Sequence, residues 1–596
     1  MSDFSPSLPS WDLTPVFPSL DSPQFQAEFA SALSQIELIG ARFDTVNVRR
    51  RENHSVNAAF VSHIEEALNS WNALNARLDV LFSFLHCLVS TDAKNEAAQA
   101  RLSELESRTV ALDSLDTRLV AYVGTSDIEA LLGESGVARE HEFWIRRAQV
   151  LATHQMSEEE EHLAAALRPM GYGAWAKLHG QMTALLTAQV ELDGQLQTLP
   201  MSAVRALASH PDRAVRERAF RAEMEAWPRV GLPLAAAMNS IKGFARETRS
   251  RRGWNDDVEP TLLGNSIDAA TLKAMQDACV ESFPDFRRYM RAKARVLGLE
   301  QLAWFDLIAP VGGQDEKWSW TSCEEFIERN FGRYSDKMAT YARRTFDERW
   351  IDAAPRVGKE GGAYCTELGA GQSRILMNFD GSFTQVSTLA HELGHGYHNE
   401  CLKERTALQK QIPMTLAETA SIFCETLVFE AAVERADKDE KLFLLDNALS
   451  RNLQVVVDIH SRFLFESRVF EKRIERELGE TELCDLMLHA QRETYGEDLS
   501  PLHPYMWEVK GHYYGPTFYN YPYTFGLLFA LGLYARYREN PSEFRAKYDD
   551  FLSRCAMEDA ATLARDFGFD TTRPEFWCAS LDVIREQINE FERLVG

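Results

Sequence analysis

The stretch TLAHELGHGYH, Thr388 to His398, places three of the chain's 15 histidines within eight positions. His391 and His395 are four residues apart, so on a helix they share one face, a turn from each other. Two imidazoles so placed can reach one zinc ion. Glu392 stands beside the first of them, positioned for the water that such an ion activates and not for the ion itself, which is the HExxH logic of zinc peptidases. His398 lies seven residues beyond His391, about 10 Å along a helix axis. That distance is too long for three imidazoles of one straight helix to converge, so His398 reads as a hydrogen-bonding neighbour of the ligands. The longer HExxHxxGxxH pattern fails, because its last two positions hold His398 and Cys401.

A catalytic zinc keeps one open position and needs a third protein ligand. Downstream, QIPMTLAETASIFCETLVFEAAVERA opens a second helix at Pro413 and Thr415, on which Glu418, Ile422, Glu425 and Phe429 share a face. A carboxylate on a buried face needs a partner, and a metal would supply one. Thr415 and Glu418 also fit a capping box, which accounts for Glu418 without any metal, so both readings of that residue stand. Glu425, two turns on, suits a hydrogen bond to a ligand or an ordinary helix salt bridge.

KGHYYGPTFYNYPYTFG, Lys510 to Gly526, holds five of the 17 tyrosines together with His512. Peptide hydrolysis at a metal builds an oxyanion, and tyrosine hydroxyls or a protonated imidazole can donate hydrogen bonds to it. Gly515, Pro516 and Pro522 suggest a loop bending over a site. Stacking on single-stranded nucleic acid is disfavoured, since no Lys or Arg follows Lys510 before Arg536. An aromatic loop packed for stability is the plain alternative.

The elements that must position these groups are overwhelmingly helical. Between His210 and Trp227, Phe220, Met224 and Trp227 recur at four and three with charges elsewhere, one buried stripe on a solvated helix. The run SEEEEH at 157–162 reads as the start of a solvated helix. Asp380, Gly381 and Ser382 mark a turn, and Ser382 with Gln385 predicts a capping box that starts the histidine helix. The helical pattern breaks once, between Val357 and Phe379, where five glycines precede a short strand, Arg374 to Phe379. A small sheet therefore sits just before the histidine helix. The first 25 residues, rich in Pro and Ser, predict an arm over a surface.

Across its 596 residues the chain carries a net charge of -25, with 89 acidic and 64 basic side chains. That balance opposes attraction to phosphate backbones or anionic lipid, so neither nucleic acid nor a membrane is expected as a partner. The N-terminus lacks a secretory leader pattern. The most apolar run, Gly526 to Ala535, is well short of the roughly 20 residues that span a bilayer. Nine scattered cysteines form no disulfide or CxxC framework and read as reduced thiols of a cytoplasmic protein.

Taken together, these segments resemble the oligoendopeptidase F group of the thimet oligopeptidase-like zinc metallopeptidases. WDLTPVFPSL, RSRRGWND at 249–256, AKARVLGLEQLAWFDLIAPV at 292–311, GGAYC, RILMNFDGSFTQVSTLAHELGHGYH, LAETASIFCE and the tyrosine segment occur in the group's order. The resemblance implies a mainly α fold of two helical lobes around a deep channel, with a small β-sheet beside the zinc-binding helices. It implies an N-terminal lobe over 1–200 and a catalytic domain over 201–596. Glu418 becomes the third ligand of a single zinc held with His391 and His395. Glu392 acts as the base, His398 and Glu425 support the ligands, and His512 with Tyr519, or else Tyr523, contacts the scissile carbonyl. Arg374, Ile375, Leu376, Met377 and Asn378 are expected to pair with the substrate backbone as an added strand. The expected activity is cleavage of internal bonds in short unstructured peptides. An exopeptidase of the same class, or a helical scaffold with a structural zinc, are the alternatives.

Overall fold

The computed structural model describes residues 8–312 and 317–596. They are mainly α-helical, with five short strands. β1 (Thr187–Leu192) and β2 (Gln195–Pro200) make an antiparallel hairpin, while β3 (Ile351–Asp352), β4 (Tyr364–Glu367) and β5 (Ser373–Leu376) form a second sheet. Two compact units divide the chain, each drawing on three stretches. The first comprises Met1–Gln155, Glu316–Ala431 and Arg536–Gly568; the second comprises Met156–Asp315, Ala432–Ala535 and Phe569–Gly596.

The first unit is organised around the 34-residue helix Ala58–Thr91. Asn57 caps it by accepting the Phe60 N–H at 2.9 Å. Phe60, Ile64, Leu68, Trp71, Leu78 and Leu81 then recur at helical spacing and are buried in the unit's apolar core. Among the described residues this helix, and not the Gly526–Ala535 run, is the one long and apolar enough to cross a membrane by length and composition. A core helix passes the same test. Of the N-terminal arm, residues 1–7 lie outside the described residues; from Pro9 it runs beside β3. The Ala353 N–H donates to the Pro9 carbonyl at 2.9 Å and the Asp12 N–H to the Arg349 carbonyl at 2.8 Å.

The histidine helix spans Phe383–Leu402 in this unit. Ser382 caps it, accepting the Gln385 N–H at 3.3 Å. The other half of the expected box is absent, because the Ser382 N–H donates to Asp380 Oδ1 at 2.9 Å. Gly381 turns the chain into the cap at a positive φ of 81°, which a side chain would resist. The second sheet packs beside this helix, as expected.

In the second unit, helix Arg213–Ala226 buries Phe220 but is not the simple amphipath its sequence suggests. Arg216 and Glu223 are buried as well. Arg216 pairs with the fully buried Asp306 at 3.0 Å, and Glu223 pairs with Arg205. Ser157 and Glu160 form the capping box that opens helix Glu158–Arg168. All nine cysteines are free thiols.

Candidate metal centre

Helix Phe383–Leu402 carries His391 and His395; a short turn of helix, Met414–Ala417, breaks at Glu418 before helix Thr419–Arg435 begins. The break swings Glu418 onto the two imidazoles. One of its carboxylate oxygens lies 3.2 Å from His391 Nε2 and 3.4 Å from His395 Nε2. The two helices come this close because Gly394 has no side chain: a Cβ there would meet the Ala420 carbonyl oxygen and Ser421 Cα at 2.6 Å. Gly396, two residues on and facing the other way, accommodates the Tyr341 hydroxyl, with which a Cβ would collide.

Each donor is itself held. His391 Nδ1 donates to Glu425 at 3.2 Å, and Ser387 Oγ donates to the other Glu425 oxygen at 3.0 Å. Ser421 Oγ donates to Glu418 at 2.8 Å. Burial works against charge on His391, but its bonds to Glu418 and Glu425 outweigh burial and raise the imidazole to about 10. Burial likewise works against charge on Glu418, yet the two imidazoles hold it well below the usual carboxylate range. Glu392 is 6 % exposed, and burial pushes its carboxyl up against the opposing pull of His391 and His395.

The tyrosine segment belongs to the second unit. His512 sits in the 3₁₀ turn Gly511–Tyr514, and helix Tyr521–Glu539 follows. Tyr513, Tyr514 and Tyr521 are buried, with Tyr513 edge-on to Phe465 at 5.0 Å between centroids, so part of the segment is core. Tyr519 and Tyr523 are half-buried and flank His512, at 5.1 and 6.3 Å between ring centroids. The Tyr523 hydroxyl donates to that of Tyr519 at 3.3 Å.

Residues 206–583 match the model of peptidase family M3, and residues 123–187 match that of oligopeptidase F. The chain belongs to peptidase family M3. An oligoendopeptidase F homologue of Lactococcus lactis is 20 % identical, the match covering 98 % of this chain and 97 % of the relative. Oligopeptidase PepF of Bacillus subtilis is 21 % identical over 98 % of this chain and 87 % of its own. Among solved structures, one from Chlamydophila abortus matches with a TM-score of 0.80 at 19 % identity, covering 98 % of each chain. An oligoendopeptidase F from Enterococcus faecium matches with a TM-score of 0.69 at 18 % identity, over 96 % of this chain and 99 % of that one. The resemblance drawn from the motifs is therefore borne out, and the mainly α architecture is shared with these solved structures.

As a member of M3 the chain is a metallopeptidase, and its residues fit a metal. The donor atoms of His391, His395 and Glu418 lie within 4.8 Å of one another, the one such group of three among the described residues. With an ion in place of the proton that His391 Nε2 now shares with Glu418, two imidazole nitrogens and a carboxylate oxygen would form the three-ligand set that leaves a position open for chemistry. The capping-box alternative for Glu418 is not observed, since Pro413 caps the short turn without a side-chain bond.

Two sequence expectations need correction in this M3 chain. His398 does not support a ligand. Its Nε2 bonds the Leu552 carbonyl at 3.0 Å, so it ties the histidine helix to helix Pro541–Arg554. Residues Arg374 to Asn378 cannot accept an added strand either, because β5 is the middle strand of the order β3-β5-β4. Ile375 and Met377 donate to the carbonyls of Trp350 and Asp352 on one side, and β4 pairs with β5 on the other. Arg374 itself is buried, with its guanidinium on the Asp12 carbonyl at 2.7 Å, and the Asn378 amide donates to the Glu360 carbonyl at 3.0 Å. Sequence reasoning missed Ser387, Ser421 and Gly394. Ser387 was findable, since it stands four residues before His391 on the ligand face.

Proposed function

We propose that this M3 chain is a zinc endopeptidase that cuts internal bonds of short, unstructured oligopeptides, with one zinc held by His391, His395 and Glu418. The observation that carries the reading is the convergence of those donors beside the buried Glu392 carboxyl. The names of its relatives, oligoendopeptidase F and oligopeptidase PepF, support the substrate class. That the catalytic machinery follows residue 200 is supported by the start of the matched M3 model at residue 206.

A zinc held there supplies Lewis acidity, polarising a carbonyl and bringing the pKa of water toward ~7. Glu392 takes the proton of the attacking water and returns it to the leaving amine, a cycle suited to a carboxyl that burial has pushed up. Glu425, backed by Ser387, fixes His391 with Nε2 free for the ion. The substrate backbone pairs along the outer edge of β4, one of the two edge strands of its sheet, in place of the occupied β5. Cys365 of β4 lies close enough to Glu392 for the carboxylate to raise its thiol further, after burial, which supports this edge as the one serving the base. The Tyr519 hydroxyl donates to the scissile carbonyl oxygen, supported by Tyr523, whose own proton is spent on Tyr519. His512 contacts the same stretch of peptide. The acidic balance and free thiols support a cytoplasmic protein without nucleic acid or membrane partners.

Mass spectrometry of mixed unstructured peptides and one folded protein, incubated with the purified chain with and without a zinc chelator, tests this. Chelator-sensitive internal cuts confined to the peptides are expected. Cuts only at termini would make the enzyme an exopeptidase, and no cuts by zinc-loaded protein would leave a scaffold.

A further inference from the structure

His512 lies in a hydrogen-bonded chain that fixes which of its nitrogens carries the proton. Its Nδ1 is 2.8 Å from Asn520 Oδ1. The same Asn520 oxygen accepts from Arg462 Nη1 at 3.1 Å. A guanidinium only donates, so the amide must present oxygen to it; the flipped amide would set an NH₂ against a cation. The identity of that atom decides the imidazole. Facing an acceptor, Nδ1 must hold a hydrogen, and the neutral ring then carries only a lone pair at Nε2.

The anchor of this chain is rigid. Arg462 is 4 % exposed and Asn520 3 % exposed. Arg462 Nε donates to Asp458 Oδ2 at 2.9 Å in a buried ion pair on the same helix. The loop between His512 and Asn520 is pinned as well. The Phe518 N–H donates to Glu466 at 3.1 Å, Glu466 pairs with the buried Lys242 at 2.6 Å, and Phe518 sits at a φ of 50°.

We infer that Asn520, held by Arg462 and Asp458, is a positioning residue that keeps His512 in its Nδ1–H form, so that Nε2 accepts a hydrogen bond from a main-chain N–H of the bound peptide. Oxyanion donation then rests on Tyr519, backed by the Tyr523 hydroxyl, and not on His512. The inference rests on the peptidase reading above and reverses the donor role that the sequence assigned to this histidine. Charges around the ring agree with a neutral imidazole. Burial lowers its pKa, and Arg462 and Lys510 lower it further against the opposing pull of the Asn520 hydrogen bond and of Glu466. Lys510 is itself pushed down to about 8 by burial and by Arg462.

The test pairs two readouts on zinc-loaded full-length enzyme. The first is nitrogen-15 NMR of histidine-labelled protein, with His512→Gln assigning the signal. The His512 signal of the wild type shows protonated Nδ1 and bare Nε2 at neutral pH, and Asn520→Leu loses that preference. The second is the pH profile of kcat/KM on an internally quenched peptide. Asn520→Asp places a carboxylate on Nδ1 and raises the His512 pKa, so the acid limb, where protonation abolishes the acceptor, moves to higher pH. A peptide with one amide replaced by an ester loses about tenfold in kcat/KM at a single position with wild type, and loses nothing there with His512→Phe. Movement of the alkaline limb instead would make His512 a donor and overturn the inference, as would an Nε2–H signal or an ester series blind to His512. Wild-type enzyme that cuts no peptide would overturn the peptidase reading itself, while the NMR arm would still report on Asn520.

Discussion

Replacing Glu392 with Gln removes the proposed base, a buried carboxyl, and leaves His391, His395 and Glu418 untouched. The expected outcome is unchanged zinc by elemental analysis with kcat lowered about 100- to 10,000-fold. A variant that keeps its turnover would move the base elsewhere. Glu425 acts one bond further out, on His391 Nδ1. Glu425→Gln weakens the acceptor that orients the imidazole, so zinc affinity in competition with a chelator should fall about 10- to 100-fold. Ser387→Ala should produce a smaller loss in the same direction, because it only steadies Glu425. Affinity unmoved by Glu425→Gln would reduce that contact to an ordinary salt bridge.

Helix contacts set the distance between the ligands. Gly394 is where helices Phe383–Leu402 and Thr419–Arg435 meet, and even one methyl would collide with backbone there. Backbone cannot swing aside as a side chain can. Gly394→Ala should therefore cost about 1–3 kcal/mol of stability and weaken zinc binding, because separating the helices draws Glu418 away from both histidines. Gly180 gives the opposite sign. It lies inside helix Ala174–Leu185 with no atom within 4 Å of the place a methyl would occupy, so Gly180→Ala should raise Tm, by about 0.5–1 kcal/mol of added stability. Thermal melts of the two variants separate close packing from the general cost of helical glycine.

Acid sensitivity belongs to the whole molecule. His398 in the first unit and His460 in the second are buried, and burial lowers both to about 4. A histidine whose pKa drops on folding binds fewer protons in the native state than in the unfolded chain. Between pH ~6.5 and about 4 the unfolded state therefore takes up protons that the native state refuses. Stability is complete above that window and falls as the pH drops through it, by up to about 3 kcal/mol for each residue. Denaturant titrations across this range should give a slope that His460→Asn reduces. An unaltered slope would assign the acid loss to other groups.

The sequence by itself determined the local chemistry. HExxH works through neighbours on one helix, and helical spacing alone puts His391, Glu392 and His395 in register. Capping by Ser382, the helix start at 157–162, the break into a small sheet, and the helical bulk of the chain were legible for the same reason: each depends on residues a few positions apart. The tertiary structure decided what depends on residues far apart in the chain. Local spacing left Glu418 between a cap and a ligand, and the family resemblance pointed to the ligand; a helix break and Gly394 bring its carboxylate to the histidines. The strand at Arg374 looked open because its run of apolar residues cannot reveal that β3 and β4 occupy both of its edges. His398 looked like part of the site until its bond to Leu552, 154 residues away, was seen. The proton on His512 was hidden most completely. It is set by Asn520 and Arg462, and Arg462 stands 58 residues from Asn520 in the sequence, so only the fold brings a donor to the oxygen that fixes the ring.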